Sequence, residues 1–280
     1  MLETVPEHSA VIGGEEAHHA LRVKRLNVGD RLELLDGRGV RALGVIRETR
    51  KLGKSGGWEI AVTIERREHE ARAVPSLHVL TGVPKGERFE MLVDQLSQVG
   101  AASWAMLRSQ HASVDPSEHR IDRLARIAGE ASKQCGRAWS LMIEPERSFD
   151  DVLRERANSG APGACPTACV VAHVSGGEYR ATGAEEITLL IGPQGDWSER
   201  ELQAARDVGV QIATFGRHVM RVETAAAAAE FAPVRPDGGV LHIAQHRLRE
   251  KTFLSNHGFP VAPFRHVRSL DELKQALDAI

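Results

Sequence analysis

From Asp30 to Glu48, apolar and polar residues alternate on both sides of Asp36-Gly37-Arg38-Gly39, the pattern of two half-buried strands joined by a tight turn. "WEIAVTIERRE" (Trp58–Glu68) alternates again, so residues 1–73 read as a small β-domain. Its one helical piece, "EEAHHALRVKRLNVGD", carries Arg22, Lys24 and Arg25, which by themselves describe a solvated charged face. The pattern changes at Pro75. "SLHVL" reads as a buried strand that opens a second domain. Phe89, Leu92, Val93, Leu96 and Val99 then recur at helical spacing, with Gly100 placed to end that helix. Ile121, Leu124, Ala128, Ala131 and Cys135 form a second apolar stripe, while Arg126, Lys133 and Arg137 share another face with Glu130. "ACVVAHVSGG", "ITLLIG" and "VQIATFG" read as strands. "SERELQAARDVG" reads as a helix with a capping box from Ser198 to Glu201 and a stop at Gly209. Strands alternating with helices predict an α/β fold with a parallel sheet and a ligand site at the strand C-termini.

Three glycine-bearing loops follow strands in this second part: "AHVSGG", "IGPQGDWS" and "FGRHVMRVETA". Glycine lets a ligand approach the backbone closely, and exposed N–H and C=O groups can read an adenine edge or a carboxylate. The Lys-Ser/Thr of a phosphate-binding P-loop is missing, and no G-x-G-x-x-G follows a strand. A nucleoside cofactor held without a phosphate grip fits better; ordinary turns between strands are the alternative. The 280 residues suggest roughly two domains of about 100–200 residues each. A formal charge of −2 confines any polyanion-binding surface to a local patch. Three cysteines argue against a disulfide framework. Cys165, Cys169 and His173 lack a fourth ligand and the usual close pairs, so no metal site is expected. "MLETVPEHSAVIGG" has early acids and no apolar core of a signal peptide, and no apolar run approaches the roughly 18 residues of a membrane span. A cytoplasmic protein is the expectation.

The motifs are also recognisable. "LLIGPQGDWSERELQAARDVGV" followed by "FGRHVMRVETAAAAA" resembles the RsmE-like branch of the knotted SPOUT methyltransferases, which modify N3 of a uridine in small-subunit ribosomal RNA. The resemblance runs from about residue 8 to 229. It includes matches to "HH..RV.RL..GD.LEL.DG.G", "KGER.E.LV.QL...GA" and "R......A.EA..QCGR". It implies a PUA-like RNA-binding β-domain over 1–73 and a SPOUT α/β methyltransferase domain with a C-terminal trefoil knot over 75–230. It further implies a homodimer that binds S-adenosylmethionine in the knot loops. By position the cofactor would meet His173, Gly192, Pro193, Gln194, Gly195, Phe215, Gly216, Met220, Arg221 and Thr224. Arg221 suits stabilisation of a uracil anion, with Glu223 as the second catalytic candidate; the alternative is a structural ion pair between the two. Arg22, Arg25, Lys85, Arg88, Arg126, Lys133, Gln134 and Arg137 would hold the RNA backbone.

The chain departs from the family pattern in several places. Gln194 stands where glutamate is usual, keeping shape and hydrogen bonding but losing a charge, and Asp196 stands where glycine is usual, straining a loop that prefers it, so reduced cofactor affinity is the expectation. Met1–Pro6 lack the family's short first strand. The last helix breaks by Pro233. The run "RPDGGVLHIAQHRLREKTFLSNHGFPVAPFRHVRSLDELKQAL" within 234–280 resembles instead a fragment of the ATP-grasp subunit of phosphoribosylaminoimidazole carboxylase, too small for an independent domain. It would form a short foreign αβα tail. These departures leave open a chain that binds RNA without transferring methyl groups. A purine-synthesis ATP-grasp enzyme would need the body of that fold, which is missing.

Overall fold

A computed structural model describes residues 4–53, 57–83, 88–111, 118–158, 167–215 and 221–230. Gly216 to Met220, which the resemblance assigns to the knot, and the whole of 231–280, including the Pro233 break and the ATP-grasp-like run, lie outside these residues. Residues up to Glu230 form one compact unit.

The first sheet is antiparallel. It contains β1 (Ser9–Ile12), β2 (Arg31–Leu35), β3 (Val40–Lys51) and β4 (Trp58–His69) in the order β1-β4-β3-β2. The turn foreseen at Asp36 forms because its Oδ1 accepts from the N–H groups of Arg38 (2.7 Å) and Val40 (2.9 Å). Between β1 and β2 a short helix, α1 (Gly14–His18), runs on as a π-helical turn (His19–Val23). Ala17, Ile46, Ile60 and Val62 fill the core beneath it.

The second sheet is parallel throughout. Its strands are β5 (Ser76–Thr81), β6 (Ser103–Arg108), β7 (Met142–Ser148), β8 (Thr167–Glu178), β9 (Glu186–Ile191) and β10 (Gln211–Thr214), in the order β10-β8-β9-β5-β6-β7. The continuous apolar runs have a direct cause: both faces are covered, so successive residues enter different cores. Val79 and Leu189 join Leu92 and Leu96 of α2 (Arg88–Val99), Leu124 of α3 (Glu118–Cys135) and Ala226 of α6 (Val222–Glu230). Leu80 and Leu190 join Phe149 and Val152 of α4 (Phe149–Asn158) and Leu202 of α5 (Glu199–Asp207).

The predicted helix boundaries hold where a cap enforces them. Gly100 ends α2 at φ +116°, with its N–H on the Leu96 carbonyl. Ser198 and Glu201 form the full capping box of α5, and Gly209 ends it at φ +72°, with the Val210 N–H on Ala205. The stripe on α3 is narrower than its spacing predicts: Leu124, Ala128 and Ala131 are buried, whereas Ile121 and Cys135 at its ends are exposed. The periodicity does not reveal β7, whose "MIEPERS" is polar and carries Pro145, because it is an edge strand that needs no second covered face.

The two sheets meet through the segment after α3. Gly39 N–H donates to the Ala138 carbonyl (2.9 Å), and Ser140 N–H to that of Gly37 (3.0 Å). Trp139 Nε1 reaches the Glu70 carbonyl (2.8 Å), the Arg72 guanidinium lies 4.2 Å from the indole centroid, and Lys133 Nζ binds Glu16 at 2.6 Å. Gly39 is required twice over. Its φ is +98°, and a Cβ there would lie 2.5 Å from the Trp139 ring. Gly39→Ala is therefore expected to cost about 2–4 kcal/mol, seen as a lower denaturant midpoint with an unchanged slope; a midpoint equal to wild type would refute the docking. Thiol chemistry supplies a second test. Burial pushes the Cys169 thiol up to about 12, so Cys169 stays protonated and unreactive in the native chain. Peptide mapping after native alkylation is expected to find Cys135 modified and Cys169 untouched until the protein is unfolded.

Candidate functional site

A cavity of about 490 Å³ opens at the C-terminal edge of β8, β9 and β10, within the range of small-molecule sites. Two loops, the end of β10 and the start of α6 build it. The first is an interruption in β8. Val171 pairs with Ile212, but Gly177 pairs with Ala213, the next residue of β10, so residues 172–176 leave the β10 ladder while Ala172 still pairs with Ile191 of β9. Gly176 allows the chain to return, since a Cβ there would sit 2.7 Å from the Ala213 backbone. The second loop follows β9. Gly82, after β5, lets Pro193 settle against it, because a Cβ at residue 82 would lie 2.5 Å from the Pro193 Cα. A turn then closes with the Asp196 N–H on the Pro193 carbonyl (2.9 Å). Trp197 pins this loop to the first one: Nε1 donates to the Ala172 carbonyl at 3.0 Å, and the ring lies where a Cβ on Gly192 would touch it at 3.0 Å. At the end of β10 Phe215 stacks its ring on Tyr179 at 5.9 Å, and Arg221, just before α6, completes the lining.

The wall between the first two loops is polar. Ser175 N–H donates to His173 Nδ1 (3.2 Å), and the Ser175 hydroxyl lies 2.7 Å from the same nitrogen. Nδ1 is therefore an acceptor, and the neutral ring carries its proton on Nε2, which lies 3.4 Å from Asp196 Oδ2. Asp196 has φ +62°, as the family's glycine preference at this position suggests. An aspartate tolerates this left-handed region at a cost of about 1–2 kcal/mol. Its other oxygen, Oδ1, accepts from the Trp197 N–H at 2.8 Å, and its carbonyl accepts from His111 Nδ1 at 3.2 Å. Glu201 of the capping box also accepts from the Gln110 N–H (2.8 Å), so the end of the loop is tied to the chain after β6.

The sequence-derived cofactor residues separate on this geometry. His173, Gly192, Pro193, Gln194, Phe215 and Arg221 line the cavity together. Gly195 turns away and packs against His111, where a Cβ would lie 3.1 Å from the imidazole-bearing carbon. Thr224 is exposed on α6, while its neighbours Val222 and Ala225 reach the cavity. Arg221 is exposed and its carbonyl accepts the Ala225 N–H, which starts α6; Glu223 follows in the first turn. Gly216 and Met220 lie outside the described residues. Sequence reading missed Trp197 as the residue joining two loops, and Ser175 and His111 as partners of His173 and Asp196. Trp197 and Ser175 stand inside the quoted loops, but only the fold reveals their contacts; His111 gives no local signal.

The basic residues are more dispersed than the stripe suggests. Arg137 donates to the carbonyls of Ser97 and Gly100 and thereby caps the C-terminus of α2. Lys133 sits between Glu16 and Glu130, each at 2.6 Å; burial works against its ammonium, but these hydrogen bonds outweigh burial and raise its pKa. Arg22 lies 5.6 Å from the Trp58 centroid, Arg25 occupies φ +57° in the turn after the π-helical segment, and Arg88 begins α2. Arg126, Lys133 and Gln134 line a groove between α3 and α1. Among its described lining residues, the carboxylates Glu15, Glu16, Asp94 and Glu130 face the cations Lys24, Arg126 and Lys133. Lys85 lies outside the described residues. These residues also yield no cluster suited to a metal ion, and no helix among them is long and apolar enough to cross a membrane.

Comparison with known proteins agrees with this architecture. The RNA methyltransferase domain matches residues 71–232, and the RNA methyltransferase PUA domain matches residues 12–52. The chain is 26% identical over 227 residues to ribosomal RNA small subunit methyltransferase E of Synechocystis, covering 80% of this chain and 72% of that one. It is 27% identical over 238 residues to the Mycobacterium bovis protein of the same name, covering 81% and 87%. The structure of a ribosomal RNA small subunit methyltransferase E from Neisseria gonorrhoeae, bound to S-adenosyl methionine, shares the fold with a TM-score of 0.69 at 19% identity, covering 82% of this chain and 94% of that one. With more than half of its length matched by the methyltransferase domain and a PUA domain ahead of it, the chain belongs to the RsmE-like RNA methyltransferase family.

Proposed function

We propose that this protein uses S-adenosylmethionine to methylate N3 of a uridine in small-subunit ribosomal RNA, acting in the cytoplasm as a homodimer. The observation that carries the reading is the cavity itself: the interruption in β8 and the loop after β9 converge on one space with the end of β10 and the start of α6, and Gly192 brings the backbone to its surface. A flat adenosine fits such a lining, with Phe215, Val222 and Ala225 as apolar wall and the backbone around Gly192 and Pro193 for its polar edge. His173, Gln194 and Arg221 would face its polar end, and Gly195, Gly216, Met220 and Thr224 would support the loops. When bound, the cofactor supplies a methyl group on a cationic sulfonium.

The protein's own contribution is to present the uracil and stabilise its charge. N3 of uridine is a poor nucleophile until it loses its proton, so the anion must be favoured in the site. Exposed Arg221 at the cavity wall can donate to O2 or O4 of the uracil, where that charge resides. Glu223, two residues on, is the candidate to orient it. The base must leave any stack, at a cost of about a few kcal/mol. Arg22, Arg25, Lys85, Arg88, Arg126 and Gln134 would hold the backbone on either side. Lys133 and Arg137 serve this surface indirectly, through the α1–α3 junction and the end of α2.

The test is calorimetric titration with S-adenosylmethionine, followed by methyl transfer to unmodified small subunits, with the product nucleoside identified by mass spectrometry. One cofactor per chain and N3-methyluridine are expected. A folded chain that binds no cofactor would overturn the enzyme reading and leave an RNA-binding protein. Arg221→Ala is expected to lower kcat about 10²–10³-fold at saturating cofactor, the signature of an interaction made in the transition state, on top of any loss of cofactor affinity. For RNA, Arg126→Ala is expected to reduce the slope of log affinity against log salt by about 1. Lys133→Met should leave that slope unchanged and instead lower the unfolding midpoint, because it removes the contacts that tie α3 to Glu16 of α1.

A further inference from the structure

Asp196 is an unexpected residue at the cavity. It occupies the left-handed region that glycine would enter freely. A side chain there carries a conformational penalty, and such outliers cluster at functional sites. The carboxylate also lies on the cavity wall. Among the described residues lining the cavity, Asp196 is the sole carboxylate. Its Oδ1 is committed to the Trp197 N–H, which fixes the orientation of the group. Oδ2 is left beside Nε2 of His173, a neutral ring when Nδ1 accepts from Ser175, so no formal charge cancels the carboxylate at that contact.

We infer that Asp196 makes this site selective for the charge of its ligand, favouring S-adenosylmethionine, with its cationic sulfonium, over the neutral thioether left after methyl transfer. The inference rests on the proposed cofactor reading. Its physics is simple: the two ligands differ by one positive charge at sulfur, and a fixed carboxylate on the cavity wall, 62% exposed and so screened by solvent, attracts one and is indifferent to the other. Such a device would oppose product inhibition, since transfer of the methyl group removes the charge that Asp196 holds.

The experiment is calorimetric titration of the full chain and of Asp196→Asn with three ligands: S-adenosylmethionine, S-adenosylhomocysteine and sinefungin, whose protonated amine replaces the sulfonium. Asparagine keeps an oxygen for the Trp197 N–H and removes the charge, placing its amide nitrogen beside His173 Nε2; thermal unfolding confirms that the variant folds. Asp196→Gly, which also relieves the backbone, serves as the second variant. For both variants, affinity for S-adenosylmethionine and sinefungin is expected to fall roughly three- to tenfold, with S-adenosylhomocysteine changing less than about twofold. The selectivity of the wild-type chain should shrink as salt rises. Equal losses for all three ligands, or no loss for any, would overturn the inference while leaving the methyltransferase reading intact. A folded wild-type chain that binds none of them would overturn both.

Discussion

The indole of Trp197 is the contact on which the cavity depends. Its ring is buried against Phe149, 4.9 Å between centroids, in the core shared by α4, α5 and the sheet. Its N–H needs an acceptor at that depth, and the Ala172 carbonyl supplies it at the point where β8 leaves its ladder. One side chain thus ties the second loop to the first. A Cβ on Gly192 would press on the ring at 3.0 Å, and Gly82 must be glycine for Pro193 to follow. The capping box carries the constraint onward, because Glu201 binds Ser198 and also the backbone beyond β6. A site made of loops acquires the rigidity of the elements they connect.

A second constraint acts on the basic surface. Charges that look like an RNA-binding stripe in the sequence are divided between tasks. Arg137 completes the end of α2 and Lys133 joins α3 to α1, so one of these cations serves a helix terminus and the other the contact with the β-domain rather than phosphate. The groove between α1 and α3 has four carboxylates against three cations among its described lining residues. A polyanion is held by the sum of local charges rather than by a count of arginines. The residues that keep free charge, Arg126 foremost, therefore carry more of the proposed RNA contact than their neighbours.

The sequence by itself determined the parts governed by local rules. Alternation around Asp36-Gly37-Arg38-Gly39 specified a hairpin because the aspartate oxygen closes the turn locally. Gly100 and Gly209 specified helix ends because positive φ is a property of the residue. The order of the three loops followed from the parallel connection of strands, and their resemblance to a known family pointed to the same cavity. Tertiary structure alone decided which loop residues share that cavity. Gly195 and Thr224 belong to the right motifs, yet one faces His111 and the other faces outward. It also decided that Lys133 pairs with Glu16, a residue 117 positions away, and that Asp196 sits beside His173. The physical reason is the same throughout: turns and caps are set by neighbours within a few residues, whereas burial, pairing of charge and the lining of a cavity depend on residues that only the closed sheet brings together.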